Sequence, residues 1–205
     1  MNALIMVDIQ NDFLPGGTLA VPEGDEIIPL VNRLQETFPL VVATQDWHPS
    51  GHKSFASQHT RKEPMDTGDV NGIEQILWPD HCVQETEGAE FANELKTTRV
   101  QAVIRKGLQP EVDSYSGFYD MNQEVSTGLT GYLREKEVDH VFICGLAADV
   151  CVKFTALDAI EEGFTTHVIE DAVRGVNVRE DDVERAFEEM KNAGVHMLRS
   201  EELPR

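Results

Sequence analysis

Three side chains could form a nucleophilic set: Cys151, Asp8 and Lys106. Cys151 sits in VFICGLAADVCVKFTALDA, residues 141–159. There an apolar stretch suited to a buried strand runs into a small-residue turn at Gly145, Leu146 and Ala147, and helical spacing follows at Val152, Thr155, Ala156 and Ala159. The pattern predicts Cys151 in the first turn of a helix that Asp149 could cap. Unpaired N–H groups and the helix dipole favour thiolate over thiol there, and the same amides could hold an oxyanion. A free thiol has a pKa of about 8.5 and is mostly protonated at neutral pH. A carboxylate at Asp8 could accept that proton, and an ammonium at Lys106 would stabilise the thiolate and hold the carboxylate charged. Each residue also has a plainer reading: a small buried cysteine, an exposed strand-end acid and a solvated lysine before a glycine turn.

A second group has the types that ligate metals. Asp46-x-His48 places a carboxylate and an imidazole on one face of an extended backbone, because residues i and i+2 share a face. His52 follows, and His81 lies in WPDHCVQ. One carboxylate with two or three imidazoles suits Zn²⁺, Fe²⁺ or Mn²⁺ and leaves positions open for water or substrate. His52 also reads as an ordinary surface histidine, His59 as a loop histidine, and Cys82 as structural.

The elements that must position these residues alternate strand and helix. ALIMVDI (3–9), LVVAT from Leu40, VQAVIRK (100–106), the start of the Cys151 segment, HVIE (167–170) and residues 195–198 read as strands. Helical spacing covers 29–38, 123–137, the stretch after Cys151 and 180–192, with a short helix at 89–95. Residues 49–88, rich in Pro, Gly, His and Ser, read as a long irregular excursion, and LQPEVDSYSGFYD as a second. Continuous apolar runs suit parallel strands covered on both faces, and the alternation implies an α/β fold with right-handed crossovers. Ligands in such sheets bind beyond the carboxyl ends of the strands. Asp8, Asp46 with His48, Lys106 and Cys151 end or follow four separate strands, so they converge on one edge. Phe13, Leu19, Trp47, Trp78 and Tyr115 fall in loops beyond that edge, where they could form a flat slot for a ring or simply pack under the loops. His140, His167 and His196 precede or start strands, at the opposite edge.

Bulk properties narrow the classes. With 205 residues, the chain suits one domain, 1–205, with a sizeable core. Lys plus Arg number 17 against 37 Asp plus Glu, a formal net charge of −20 that repels phosphate backbones and anionic membranes. Neither nucleic acid nor membrane is therefore expected as a partner. Cys82, Cys144 and Cys151 are too few and scattered for a disulfide framework. The start MNALIMVDIQNDF lacks a basic n-region and meets Asp8 early, so it does not read as a signal peptide. A reducing cytoplasm, which keeps a reactive thiol free, is the expected setting. Assembly into a homo-oligomer is open.

VDIQNDF with Asp8, TQDWHP with Asp46 and His48, WPDHCVQ with His81, RKG with Lys106, YSGF, and GLAADVCV with Cys151 closely resemble, in the same order, the motifs of the nicotinamidases among the isochorismatase-like hydrolases. The likeness runs from Ala3 to about Gly194. It implies a three-layer fold with a six-stranded parallel sheet flanked by helices, and hydrolysis of nicotinamide to nicotinate and ammonia in NAD salvage, with pyrazinamide also accepted. It implies a triad of Asp8, Lys106 and Cys151, and one divalent metal, zinc before iron or manganese, on Asp46, His48 and His81. Some relatives use a further histidine that falls near His52, so a ligand there stays open. It also implies an oxyanion hole from the backbone N–H groups of Ala147 and Cys151 and a cis peptide between Leu146 and Ala147. By their place beyond the strand ends, Phe13, Leu19, Trp78 and Tyr115 are the candidate substrate contacts.

Within that superfamily, carbamoyl-amide hydrolases use a similar Asp–Lys–Cys set without the metal, and isochorismatases proper cleave a vinyl ether. The metal-type residues favour the nicotinamidases. A non-catalytic binding module would not need every catalytic position filled with a competent residue. A thiol-redox protein would want a paired cysteine, which Cys144 and Cys151 do not provide.

Overall fold

The computed structural model describes residues 1–203. The last two residues of the expected domain span lie outside the described residues. In chain order the elements are β1 (Asn2–Val7), α1 (Ile28–Leu34), β2 (Leu40–Asp46), β3 (Thr67–Val70), β4 (Ile73–Ile76), β5 (Ala102–Lys106), α2 (Leu129–Glu135), β6 (His140–Leu146), α3 (Lys153–Glu161), β7 (Thr165–Arg174), α4 (Asp182–Asn192) and β8 (His196–Leu198). Six strands form one sheet in the order β5-β2-β1-β6-β7-β8, with every neighbouring pair parallel.

The pleat of β1 explains the three layers. Leu4 and Met6 point to a core shared with Val31 and Leu34 of α1. Ala3, Ile5 and Val7 point to the other core, shared with Leu133 of α2, Ala156 and Ala159 of α3 and Met190 of α4. Both faces are covered, which is why the strand reads as a continuous apolar run rather than an alternating one. The strand order reverses between β1 and β6, so the crevice past their carboxyl ends is the topological switch point. Gly145 makes that junction tight. Its φ is 118°, and a Cβ there would stand 2.1 Å from the Val7 carbonyl oxygen, so β6 approaches β1 as closely as only glycine permits.

Several expected elements differ. The excursion over 49–88 is not wholly irregular, because β3 and β4 pair as an antiparallel hairpin within it. Residues 89–95 are not a helix. Ala89, Ala92 and Leu95 do face the core at helix-like spacing, but the segment is pinned by a bridge between Gln10 and Phe91 and by the Ala92 N–H donating to Ile9 O. The helix expected from 123 starts only at Leu129. The Asp120 carboxylate takes the N–H groups of Glu124 and Val125, and Gly128 turns with φ 92°. Asp149 is no N-cap. That position is Ala147, and the Asp149 carboxylate instead accepts from the Val176 and Asn177 N–H groups.

Candidate active site

The switch point gathers the residues that the strand ends carry. Asp8 directly follows β1, with φ 47° in the left-handed region, and Lys106 ends β5. Cys151 lies in a π-helical turn, Ala148–Val152, between β6 and α3. The peptide joining Leu146 to Ala147 is cis. The Ala147 carbonyl takes the N–H groups of Val150 and Val152, each at 3.1 Å.

Lys106 is the hub. Its Nζ is 2.9 Å from Asp8 Oδ2 and 2.5 Å from Asp46 Oδ1. It also donates to the Ser114 carbonyl at 3.0 Å and lies 3.5 Å from Cys151 Sγ. Asp8 Oδ1 accepts the Thr44 hydroxyl at 2.6 Å. Asp8 Oδ2 has no well-directed hydrogen bond, so its partner is the Lys106 charge itself. One oxygen of Asp8, one of Asp46 and Cys151 Sγ lie within 4.8 Å of one another, around an ammonium that already supplies their cation.

Burial and these contacts set the protonation states. Burial raises the Asp8 carboxyl to about 6, with Lys106 opposing the rise and Asp46 adding to it. Burial also disfavours charge on Asp46, but Lys106 and His48 outweigh it and hold that carboxyl well below the usual range. Burial would lower Lys106, yet Asp46 and Asp8 reverse this and keep it an ammonium. Cys151 departs from the expected thiolate. Burial pushes its thiol well up, Lys106 pulls it down, and Asp8 and Asp46 push it up again. The resting sulfur is a thiol, and its proton must go to a base when it attacks.

Next to this hub, ring nitrogens of His48 and His81 and an oxygen of Asp46 lie within 4.8 Å of one another. His48 Nε2 is 3.6 Å and His81 Nε2 3.8 Å from Asp46 Oδ2. The other nitrogen of each ring, Nδ1, donates to a backbone carbonyl, Gly107 O at 3.1 Å and Pro79 O at 2.7 Å. That leaves both Nε2 atoms facing Asp46, the arrangement of ligating histidines. Burial would lower His48, but Asp46 reverses this and raises it above the usual imidazole value. Burial and the neighbouring His48 hold His81 down to about 4, a neutral ring. The donor set therefore fits a divalent cation of borderline softness. Gly107 makes room for it: φ is 68°, and a Cβ there would be 2.3 Å from His48 Cε1.

His52 lies beside this set with both nitrogens occupied. Its Nδ1 accepts the Ser54 N–H at 3.2 Å and meets Ser54 Oγ at 2.7 Å, while Nε2 reaches Val112 O at 3.3 Å. Its ring packs on His48 at 4.4 Å between centroids, and one of its nitrogens lies within 4.8 Å of a His48 nitrogen and an Asp113 oxygen. His59 bonds Lys53 O. Cys82 is fully buried, its N–H held by Asp12 Oδ2, which suits the structural reading.

Asp46, His48, His81, Ala147 and Cys151 line one pocket together with Phe13, Leu19, Trp78 and Tyr115. Trp78 Nε1 donates to the Tyr115 hydroxyl at 3.0 Å, which locks two walls together. Trp47 is elsewhere, under the Arg105 guanidinium. Asp113, Val150 and Val176 also line the pocket and escaped the sequence reading, as did Thr44. Asp113 sits in a stretch without periodicity, and Thr44 is an unremarkable strand residue. The only available signal was nearness to YSGF and to Asp46.

The isochorismatase-domain family profile matches residues 2–202. The chain is 49% identical to the nicotinamidase of Escherichia coli over 94% of its own length and 92% of that protein. Its fold superposes with a TM-score of 0.96 on a nicotinamidase/pyrazinamidase of Acinetobacter baumannii, at 46% identity, covering 99% of this chain and 98% of that one. A pyrazinamidase of Pyrococcus horikoshii solved in complex with zinc gives a TM-score of 0.78 at 42% identity, covering 97% and 98%.

Proposed function

The chain belongs to the isochorismatase family, and from that premise we propose that it is a nicotinamidase, hydrolysing nicotinamide to nicotinate and ammonia through a thioester on Cys151. The observation that carries the reading is the Lys106 hub. It joins a buried base to a thiol and a metal-type donor set that line one pocket.

The chemistry follows from the protonation states. Asp8, held at a raised pKa, takes the Cys151 proton as sulfur attacks the carboxamide carbon, and Lys106 stabilises the sulfur charge. The backbone N–H groups of Ala147 and Cys151 hold the oxyanion, each such donor being worth roughly 10²–10³ in rate. Asp8 then returns the proton to the departing ammonia, and takes one from the water that hydrolyses the thioester. Phe13, Leu19, Trp78 and Tyr115 flank the flat ring and exclude water. Asp46, His48 and His81 would hold one divalent ion, zinc before iron or manganese. When bound, that ion supplies a Lewis acid for the pyridine nitrogen and so fixes ring orientation.

Pyrazinamide, which has the same carboxamide on a similar ring, is a second substrate. The pathway is NAD salvage in a reducing cytoplasm, where Cys151 stays free. No helix among the described residues is long and apolar enough to cross a membrane. Ammonia release measured over nicotinamide, pyrazinamide, a ureido compound and isochorismate tests the reading. Turnover of the ureido compound alone would overturn it in favour of a carbamoyl-amide hydrolase.

A further inference from the structure

One buried carboxylate at the pocket has no part in the reaction just described. Asp113 is 3% exposed. Its Oδ1 accepts the Ser114 N–H at 2.8 Å, while its Oδ2 is buried without any hydrogen-bond partner. An oxygen of this carboxylate lies within 4.8 Å of ring nitrogens of both His48 and His52. His52 has both nitrogens engaged and His48 donates through Nδ1 to Gly107, so neither ring relieves the orphaned oxygen. A buried carboxylate left without a partner costs free energy, unless a cation belongs beside it.

The charge balance of the site points the same way. Asp46 and Asp113 are buried carboxylates at this pocket, Asp8 is a third just behind them, and Lys106 is the buried ammonium that Asp8 and Asp46 share. Asp46, the one anionic member of the donor set, already shares its Oδ1 with Lys106 at 2.5 Å. The excess of carboxylates over Lys106 is what a divalent ion would offset, and Asp113 is the carboxylate there that Lys106 does not contact.

We propose that Asp113 is a positioning residue of the cation site, the second anionic group that sets how tightly a divalent ion is held at Asp46, His48 and His81. Its effect acts through that ion and the face of His48, with no contact to the scissile amide required. The proposal rests on reading those three residues as the ligand set.

The test is zinc affinity by competition with a chromophoric chelator, with Asp113→Asn compared with the parent protein. The asparagine keeps the Oδ1 acceptor for Ser114 and removes the charge. The expected result is a tenfold or greater loss of affinity, within the about 10–100-fold range for losing an outer partner of a metal site, and partial recovery in Asp113→Glu. A loss below threefold overturns the proposal. So does an equal loss in Asp120→Asn, whose carboxylate caps the same loop outside this pocket, because the effect would then be loop packing. Should Asp113→Asn not fold, the parent is compared with Asp113→Glu and Asp113→Ser, and affinity must follow the charge rather than side-chain volume. A parent protein that binds no zinc, cobalt or manganese sinks the ligand-set reading itself, whereas tight binding indifferent to Asp113 sinks only this inference.

Discussion

Lys106 Nζ lies 2.5 Å from Asp46 Oδ1, so a residue of the acid–base set and a residue of the metal-type set share one direct, fully buried contact. A change at Lys106 or Asp46 therefore reaches both halves of the site.

Lys106→Met is expected to damage both. It leaves Asp8 and Asp46 as buried carboxylates without their ammonium, and breaking such a pair typically costs about 3–5 kcal/mol. Urea unfolding should show a loss on that scale along with lost turnover. An unchanged midpoint would mean that the three charges are better solvated than their burial shows.

The pH profile follows from Asp8, whose carboxyl burial raises to about 6. Asp8 must be ionised to accept the thiol proton. Activity is then full above that pKa and falls about tenfold per unit as pH drops through and below it. Thr44 donates to Asp8 Oδ1 and favours the ionised form. Thr44→Val should move the acid limb of kcat/KM to higher pH. A limb that stays put in that variant would assign it to another group.

Cys151→Ala removes the nucleophile and leaves the other pocket walls intact. Turnover should fall by roughly 10⁵ or more, the scale of losing a hydrolase nucleophile, while calorimetry still records nicotinamide binding. Substantial residual turnover would rule out the covalent route.

Metal content separates donors from props. Asp46→Ala and His81→Gln should yield protein depleted of zinc, iron and manganese by elemental analysis, whereas His52→Gln should retain the ion. Gly107→Ala should behave like a donor mutant, because its methyl would occupy the space of the His48 ring. Depletion in His52→Gln to the level of Asp46→Ala would make His52 a ligand after all.

The legibility of the sequence follows from how local each cause is. Strands buried on both faces announce themselves as apolar runs, so Asp8, Asp46 and Lys106 could be placed at strand ends, and the switch-point rule did the gathering. Where a distant partner decides, the pattern misleads. Ala89, Ala92 and Leu95 have helical spacing, yet the Gln10–Phe91 bridge holds them otherwise. Asp149 resembles a cap, but two amides near Val176 claim it. The Cys151 thiolate expected from the turn alone gives way to burial and to carboxylates that arrive from β1 and β2. Asp113 was invisible because what singles it out is an unpartnered oxygen, a property of three-dimensional surroundings.

The pairing of β1 with β6 joins the first residues of the chain to a strand that begins at His140. Joining segments so far apart in sequence carries a closure cost that must be met before their contacts are rewarded. Base and thiol sit on opposite sides of that seam, so a nascent or half-assembled chain carries an unactivated cysteine. Turnover in a refolding assay would thus time the pairing of β1 with β6, and the reactive centre arms itself only when that seam has closed.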